Sequence, residues 1–289
     1  MSVPAESPAE GSSLVVEDLC VDYRIEANGR VQYVAALKHL SITVAPGTAL
    51  GILGETGSGK SSLALAAMRL LPKTARCTGN IQLGDFDMLA MPTKRLQRVR
   101  GREIGLVMQD PLSALNPVRT VGAQIAETAR FHDHSLSRRR SHQVAADMLE
   151  SLGVPRERAR SYPHQLSGGM QQRALIAAVM VAGPNFLIAD EPTAALDKVT
   201  ERQIVLLLRS LQRERHLGLL VISHDIGVVS TLCQEVAVIY RGELVEHGAT
   251  SKVLTDPQHA YTQGLISAAR RETDDRGHLV SFVGSAVEA

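Results

Sequence analysis

This chain has few aromatic residues and almost no net charge. Only 3% of its 289 residues are Phe, Tyr or Trp, and none is Trp. A β-sandwich core or a platform that stacks nucleic-acid bases normally uses more aromatic rings. The 31 Lys and Arg residues are balanced by 30 Asp and Glu residues, which leaves a net charge of +1. Nothing in this balance attracts a phosphate backbone, so we expect no nucleic-acid partner.

Two local basic runs, at residues 94–102 and 138–140, do not change this expectation. Neither run is interleaved with aromatic residues, and each is typical of a solvated helix face.

Cysteine is scarce, with Cys20, Cys77 and Cys233 far apart in the chain. No two of them have the spacing of a metal site, and an odd number argues against a disulfide framework. We interpret them as thiols in a reducing compartment.

Long hydrophobic runs are absent as well. No segment approaches the eighteen or so apolar residues that a membrane-spanning helix needs. Residues 1–13 are rich in Ser, Pro, Ala and Glu, without the basic start and apolar run of a secretory signal. We predict that they form a disordered tail and that the protein is cytoplasmic.

What is present is an alternation of short apolar runs and amphipathic segments. The runs predict a strand pair or ribbon from residues 14–16 and 21–25, and further strands at residues 40–44, 49–53, 81–83, 186–189, 219–223 and 236–240. The helices are predicted at residues 60–71, 121–132, 137–152 and 200–215. Strands that alternate with helices predict an α/β fold with a mostly parallel sheet covered on both faces.

The strongest motif is GETGSGKSS at residues 54–62, between a predicted buried strand and a predicted helix. It matches the phosphate-binding loop pattern in the context that this loop requires. Glycines let backbone N–H groups approach phosphate oxygens, and the helix N-terminus adds positive potential. Lys60 would reach the β- and γ-phosphates of ATP, and the Ser61 hydroxyl would ligate Mg²⁺. The candidate ATP-binding residues here are Gly54, Glu55, Thr56, Gly57, Ser58, Gly59, Lys60, Ser61 and Ser62.

The second motif is an acidic pair, Asp190 and Glu191, delivered by the apolar run at residues 186–189. We predict that Asp190 holds Mg²⁺, directly or through water, and that Glu191 polarises the attacking water.

The third motif, LSGGMQQR at residues 166–173, places a Ser-Gly-Gly turn before a helix, which suits an anion. Lying shortly before the acidic pair, it resembles the signature motif of ABC ATPases. The resemblance implies that it faces the γ-phosphate bound by the other subunit of a dimer. The residues it contributes to the candidate ATP site are Ser167, Gly168, Gly169 and Gln171.

The same resemblance assigns further residues. Tyr23 matches the aromatic residue that stacks on adenine, and Gln109 the glutamine that links Mg²⁺ and water to the membrane-facing interface. Residues 195–197 resemble a loop that crosses between subunits, and His224 matches a switch histidine at the γ-phosphate.

The resemblance covers roughly residues 14–267 and implies a P-loop NTPase core of the ABC ATPase type. This domain would span residues 14–250, with an N-terminal antiparallel β portion and a helical subdomain inserted at about residues 93–180. Residues 251–289 would form a C-terminal extension.

Two segments resemble the oligopeptide, dipeptide and nickel import branch, namely QDPLSALNP at residues 109–117 and DPQHAYT at residues 256–262. The chain departs from that branch at Ala260, where Pro is usual. No Cys follows Cys233, so we predict no iron–sulfur cluster. These departures leave the cargo open.

By this resemblance the chain is the ATPase of an importer at the cytoplasmic face of the inner membrane. It would work with two membrane permease subunits, a second ABC ATPase subunit and, indirectly, an external solute-binding protein. One alternative is an ABC ATPase of a soluble enzyme assembly of the carbon–phosphorus lyase type. A DNA-maintenance or ribosome-associated ATPase is a weaker alternative, because the chain shows neither a long coiled coil nor two cassettes.

Overall fold

The computed structural model describes residues 13–27 and 30–271. The tail predicted at residues 1–13 therefore lies outside the described residues except for Ser13, as does the end of the predicted extension.

The described residues form ten strands and ten α-helices. The strands are β1 (Leu14–Ala27), β2 (Arg30–Val44), β3 (Ala49–Leu53), β4 (Ala75–Leu83), β5 (Phe86–Asp87), β6 (Ile104–Val107), β7 (Phe186–Asp190), β8 (Gly218–Ile222), β9 (Glu235–Tyr240) and β10 (Glu243–Ala249). The helices are α1 (Lys60–Ala67), α2 (Thr93–Arg102), α3 (Pro111–Ala114), α4 (Val121–His132), α5 (Arg138–Ser151), α6 (Gly168–Met180), α7 (Lys198–Glu214), α8 (Ile226–Leu232), α9 (Thr250–Thr255) and α10 (Ala260–Arg271).

The central sheet has six strands in the order β10-β9-β3-β8-β7-β6. Its strands are parallel except for β10, which pairs antiparallel with β9. Every residue of β3 and β8 is buried. Such continuous apolar runs are typical of parallel strands that are covered on both faces. One face packs against α1 and the antiparallel sheet, and the other against α4 to α8.

The second sheet is antiparallel, in the order β2-β1-β4-β5. The prediction of a strand pair from residues 14–16 and 21–25 is wrong, because both segments belong to the single strand β1. The interruption that suggested two strands is an irregularity at Asp18, whose φ is 48°. Asp18 lies against Gly79, where a Cβ would be 2.5 Å from the Asp18 carbonyl oxygen. The strands predicted at residues 40–44 and 81–83 are the ends of the longer β2 and β4.

The helical insert begins later than predicted. Strand β6 lies inside the range 93–180, yet Ile104 to Val107 pair with Phe186 to Ala189 of β7. Helix α2 also belongs to the core, since Leu96 and Val99 are buried on the antiparallel-sheet side. The insert therefore follows β6, with α3 to α5, two short 3-10 helices (Arg156–Arg160 and Pro163–Gln165) and α6.

Helix α1 ends at Ala67, four residues before the predicted end. Arg69 has a φ of 50°, which is a left-handed conformation that stops a helix. The N–H of Leu70 then donates to the carbonyl of Leu65 at 2.7 Å.

The other helices keep close to their predicted ranges. Helix α7 begins at Lys198, two residues early, because Asp197 caps it by accepting from the N–H groups of Val199 and Thr200 at 3.0 Å. Helix α4 has its predicted bounds. Helix α5 has the predicted N-cap, Ser137.

The C-terminal segment packs against the core. Val253 of α9 and Tyr261 of α10 are buried in the same cluster as the helical face of the central sheet. Over the described part of the chain, no helix is both long and apolar enough to cross a bilayer.

Candidate functional site

The loop at residues 54–61, called the phosphate loop below, connects β3 to α1 at the carboxyl edge of the parallel strands. Gly59 caps α1 with a φ of 104°, and a Cβ there would lie 2.1 Å from the carbonyl oxygen of Ala36. Gly57 has a φ of 86°, with open space where a Cβ would be. Thr56 and Gly57 are exposed at the tip. The glycines thus give an open, backbone-lined turn at a helix N-terminus, as the sequence predicts.

Lys60, near the end of this loop, has a buried side chain that is held by the backbone of the loop. The ammonium donates to the carbonyl oxygens of Gly54 at 2.7 Å and Glu55 at 2.8 Å. Burial lowers the pKa of Lys60, while the nearby carboxylates of Glu191, Asp190 and Glu55 act in the opposite direction. The structure therefore places the predicted phosphate-binding cation beside the acidic pair.

Asp190, at the end of β7, faces Ser61. Burial raises the pKa of Asp190, and so does the charge of Glu191, whereas the Ser61 hydroxyl and Lys60 oppose the rise. The Oδ1 atom of Asp190 is buried and has no hydrogen-bond partner within the described residues. A carboxylate oxygen without a partner next to a hydroxyl fits Mg²⁺, which prefers oxygen ligands.

Gln109, the third predicted Mg²⁺ ligand, follows the adjacent strand. Val107 of β6 pairs with Ala189 of β7, so Gln109 and Asp190 both follow this pair at the same edge of the sheet. Its side chain is exposed. The described residues hold no cluster of three or more His, Cys, Asp or Glu side chains that could bind a metal ion. Any Mg²⁺ here would depend on Ser61, Asp190 and Gln109 together with ATP and water.

Glu191 and His224 form a direct pair across β7 and β8. Both carboxylate oxygens of Glu191 lie 2.9 Å from Nδ1 of His224. Glu191 has a φ of 49°, and its N–H donates to the carbonyl of Ile222 at 2.9 Å. A left-handed backbone is uncommon for Glu, and such strain is concentrated at functional sites. The Glu191 side chain is 13% exposed and that of His224 62% exposed, so the pair lies at the border of the site.

Tyr23 lies at the far end of the loop, on β1. Its hydroxyl is 3.2 Å from the Ser62 hydroxyl in the first turn of α1. The ring is partly exposed and packs at the edge of the antiparallel-sheet core. The Tyr23 ring is therefore next to the first turn of α1, and its stacking on adenine stays a prediction.

The turn at residues 167–169, called the signature turn below, is built separately on the helical insert. Ser167 caps α6 by accepting from the N–H of Met170 at 3.4 Å, and both Ser167 and Gly168 are exposed. Gly169 packs against α7, since a Cβ there would meet Thr200 Cγ2 at 2.5 Å. Among residues 13–27 and 30–271, no hydrogen bond joins this turn to the phosphate loop.

Gln171 has a different position from the other signature residues. Its side-chain amide donates to the carbonyls of Pro163 at 3.0 Å and Leu166 at 3.1 Å. These bonds hold the segment before the signature turn, so the Gln171 donors are already in use within the chain.

One residue at the phosphate loop was missed from the sequence. The hydroxyl of Tyr261 accepts from the N–H of Glu55 at 2.9 Å. Residues 256–262 resemble a segment of the import branch, but no local pattern in them indicates a contact 206 positions away.

Known proteins are similar to this chain in both sequence and fold. The ABC transporter family matches residues 37–194. A protein named "Putative peptide import ATP-binding protein BMEII0206" from Brucella melitensis biotype 1 is 40% identical over 278 residues, which cover 95% of this chain and 82% of that protein. A protein named "Putative peptide import ATP-binding protein BAB2_0817" from Brucella abortus strain 2308 is 42% identical over 257 residues, which cover 85% of this chain and 75% of that protein.

Solved structures agree. The dimeric structure of MJ0796, a bacterial ABC transporter cassette, has a TM-score of 0.71 and 25% identity, and the match covers 82% of this chain and 98% of that chain. The structure of cbiO1 from Clostridium perfringens, part of the ABC transporter complex cbiONQ, has a TM-score of 0.68 and 27% identity, with 84% and 90% covered.

The fold and the loop geometry define an ABC-type ATP-binding cassette. The chain belongs to the ABC transporter family, as its match to more than half of the residues shows. The predicted family and fold class are confirmed.

Proposed function

We propose that this chain is the ATP-hydrolysing subunit of an ABC importer for a peptide-like or metal-containing solute. The observation that carries the proposal is the meeting of Lys60, Ser61, Asp190 and Glu191 at one edge of the central sheet. This set contains a cation for phosphate, oxygen ligands for Mg²⁺ and a carboxylate for water.

Each part of the site has a distinct task in ATP hydrolysis. The backbone N–H groups of the phosphate loop and the α1 N-terminus bind phosphate oxygens, and Lys60 exchanges its loop carbonyls for the β- and γ-phosphates. Ser61, Gln109 and Asp190 would hold Mg²⁺, which would supply positive charge to the phosphates. Glu191 orients and deprotonates the attacking water.

His224 and Tyr23 complete the site on this chain. His224 holds the Glu191 carboxylate and is placed to contact the γ-phosphate. Tyr23 offers its ring to the adenine. Ser167, Gly168 and Gly169 contribute from a second ATPase chain, whose own phosphate loop receives the signature turn of this one. Gln171 supports that turn through the carbonyls of Pro163 and Leu166.

Coupling to transport would proceed through the surface next to Gln109. Met108, Leu112 and Val118 are large apolar side chains that are 42%, 48% and 79% exposed. They belong to the same segment of chain as Gln109, residues 108–118, which suits a surface that docks on membrane permease subunits. The relatives named for peptide import support this function over a soluble enzyme assembly. The chain would then act at the cytoplasmic face of the inner membrane, with an external solute-binding protein that delivers the solute.

The test is the affinity of the full chain for a fluorescent ATP analogue with Mg²⁺. We expect Lys60→Ala to abolish tight binding, because the variant loses the cation that neutralises the phosphates. Lys94→Ala is the matched control, since Lys94 is an exposed lysine on α2. Unchanged affinity in Lys60→Ala would contradict the assignment of this loop as the ATP site.

A further inference from the structure

The C-terminal helix α10 reaches the phosphate loop through one side chain. Tyr261, in the first turn of α10, is 8% exposed, and its hydroxyl accepts from the N–H of Glu55 at 2.9 Å. The proposed chemistry of ATP hydrolysis uses no residue of α10.

The Tyr261 ring is fixed independently of the loop. It stacks on Tyr240, at the end of β9, with ring centroids 4.2 Å apart and planes at 26°. Burial raises the pKa of Tyr261 to about 12, so the hydroxyl stays neutral at physiological pH. Because the ring is stacked and the hydroxyl is neutral, Tyr261 keeps a fixed position in which it can accept the hydrogen bond from the Glu55 N–H.

The turn before α10 is tied to the same hairpin. Glu246 of β10 accepts from the N–H groups of Gln258 at 2.8 Å and His259 at 3.1 Å. His259 in turn accepts from the N–H of Tyr261 at 3.2 Å through Nδ1. Strands β9 and β10 therefore position both tyrosine rings, and residues 256–262 have a structural purpose in this chain.

The bond from Tyr261 acts on the peptide that also holds Lys60. The N–H of Glu55 and the carbonyl of Gly54 belong to one planar peptide group, on which they point in opposite directions. Tyr261 binds the N–H, and the Lys60 ammonium binds the carbonyl oxygen at 2.7 Å. Fixing one side of the plane fixes the other.

We propose that Tyr261 is a positioning residue for the phosphate loop, through which the C-terminal helix α10 sets the affinity of the site for ATP. Tyr261 touches neither phosphate nor water in this role. Its hydroxyl prevents the Gly54–Glu55 peptide from rotating when Lys60 leaves the loop carbonyls for the nucleotide. The inference rests on the proposed ATP site and adds a dependence on residues outside the ATPase motifs.

The direct test compares Tyr261→Phe with Tyr240→Phe in the full chain. Tyr261→Phe keeps the ring stack but leaves the Glu55 N–H without its acceptor, so we expect the Kd for the fluorescent ATP analogue to rise about fivefold, as for one lost hydrogen bond. Tyr240→Phe removes a hydroxyl from the same stack and leaves the Glu55 bond intact, so its Kd should match that of the parent. The Tm without nucleotide checks that both variants are equally folded.

A second variant separates positioning from general stability. Glu246→Ala releases the turn that carries Tyr261, and we expect it to weaken ATP binding in the parental chain but not further in Tyr261→Phe. Independent structural damage would instead add in the double variant.

Three results would overturn the inference: equal Kd values for parent and Tyr261→Phe, equal weakening by Tyr240→Phe, or additive effects with Glu246→Ala. If the parent itself binds no ATP analogue, the proposed function fails and the inference fails with it. If the parent binds and only Tyr261→Phe is without effect, the proposed function stands.

Discussion

Glu191 has a strained backbone, and its side chain contacts His224. Both features orient the Glu191 carboxylate. The left-handed φ of 49° turns the residue out of the line of β7, and the bond to Ile222 holds that turn. His224 then holds both carboxylate oxygens at 2.9 Å. A residue that only capped the strand would need neither constraint.

We therefore expect Glu191→Gln to bind MgATP like the parent but to lose turnover by at least about a hundredfold, the low end for a positioned base. The amide keeps the size and one acceptor of the carboxylate but cannot take a proton. Steady-state phosphate release measures the loss. Glu243→Gln is the control, because the Glu243 carboxylate is exposed and pairs with Lys38 at 2.9 Å. Parental turnover in Glu191→Gln would show that the base is another group.

Individual residues also show what sequence reasoning could reach. That Lys60 and Asp190 lie close together could be predicted, because each belongs to a local motif at the end of a buried strand. The signature motif places Gln171 among the candidate ATP-binding residues, but its amide donates to the carbonyls of Pro163 and Leu166. Tyr261 could not be found, because a hydrogen bond between segments 206 positions apart leaves no local pattern.

At the scale of elements, helix α1 is short, and its end depends on a residue of α2. Arg100 donates from Nε to the carbonyl of Met68 at 2.9 Å, and from Nη2 to Met68 at 2.6 Å and to Arg69 at 2.8 Å. These carbonyls lie at the end of α1, where no further helical turn supplies N–H partners. Burial lowers the pKa of Arg100, and so does the charge of Arg69.

Arg100→Met should therefore lower the free energy of unfolding by about 2 kcal/mol, since charged hydrogen bonds to partly buried carbonyls are lost. Arg100→Lys should lose part of this amount, because an ammonium cannot reproduce the guanidinium fork. Urea denaturation measures both. Arg98→Met, at an exposed position of the same helix, should stay within about 0.5 kcal/mol of the parent. Equal stability of the Arg98 and Arg100 variants would remove the capping role.

The elements themselves were predictable to different degrees. Strands β3 and β8 and the first four residues of β7 are continuous apolar runs, so their sequence identifies them. Strand β6 is only four residues long and includes Gly105, where a Cβ would come within 2.3 Å of Val179. The sequence does not predict a strand from a run this short that contains a glycine. The predicted start of the helical insert, at about residue 93, is therefore too early. The first six residues of β2 are all exposed, so this part of the strand lacks the alternation of buried and exposed residues that is typical of a half-buried strand.

At the scale of the whole molecule, two helix N-termini that suit a phosphate are built on different parts of the chain. The phosphate loop opens α1 at the sheet edge, and the signature turn opens α6 on the helical insert. Each gains most when it faces a phosphate. Both can do so if two chains sandwich ATP head to tail, so that each site takes its phosphate loop from one chain and its signature turn from the other.

Mixing two inactive variants, Lys60→Ala and Ser167→Arg, tests this arrangement. Lys60→Ala destroys a phosphate loop, and Ser167→Arg places a bulky cation on the exposed signature turn. If the partner is a second copy, a mixed dimer keeps one site in which both elements are intact, and turnover should partly return when the two are combined with the permease subunits.

If the native partner is a different ATPase, each variant should instead damage a different one of the two sites, and mixing should restore nothing. Nucleotide trapping at each site distinguishes the two cases. With a different ATPase as partner, each variant damages one site and must leave the other site able to hold ATP. In both cases turnover depends on a second chain, because neither element completes a site alone. A chain that stays monomeric with ATP and hydrolyses it at a rate per chain independent of protein concentration would contradict the head-to-tail site.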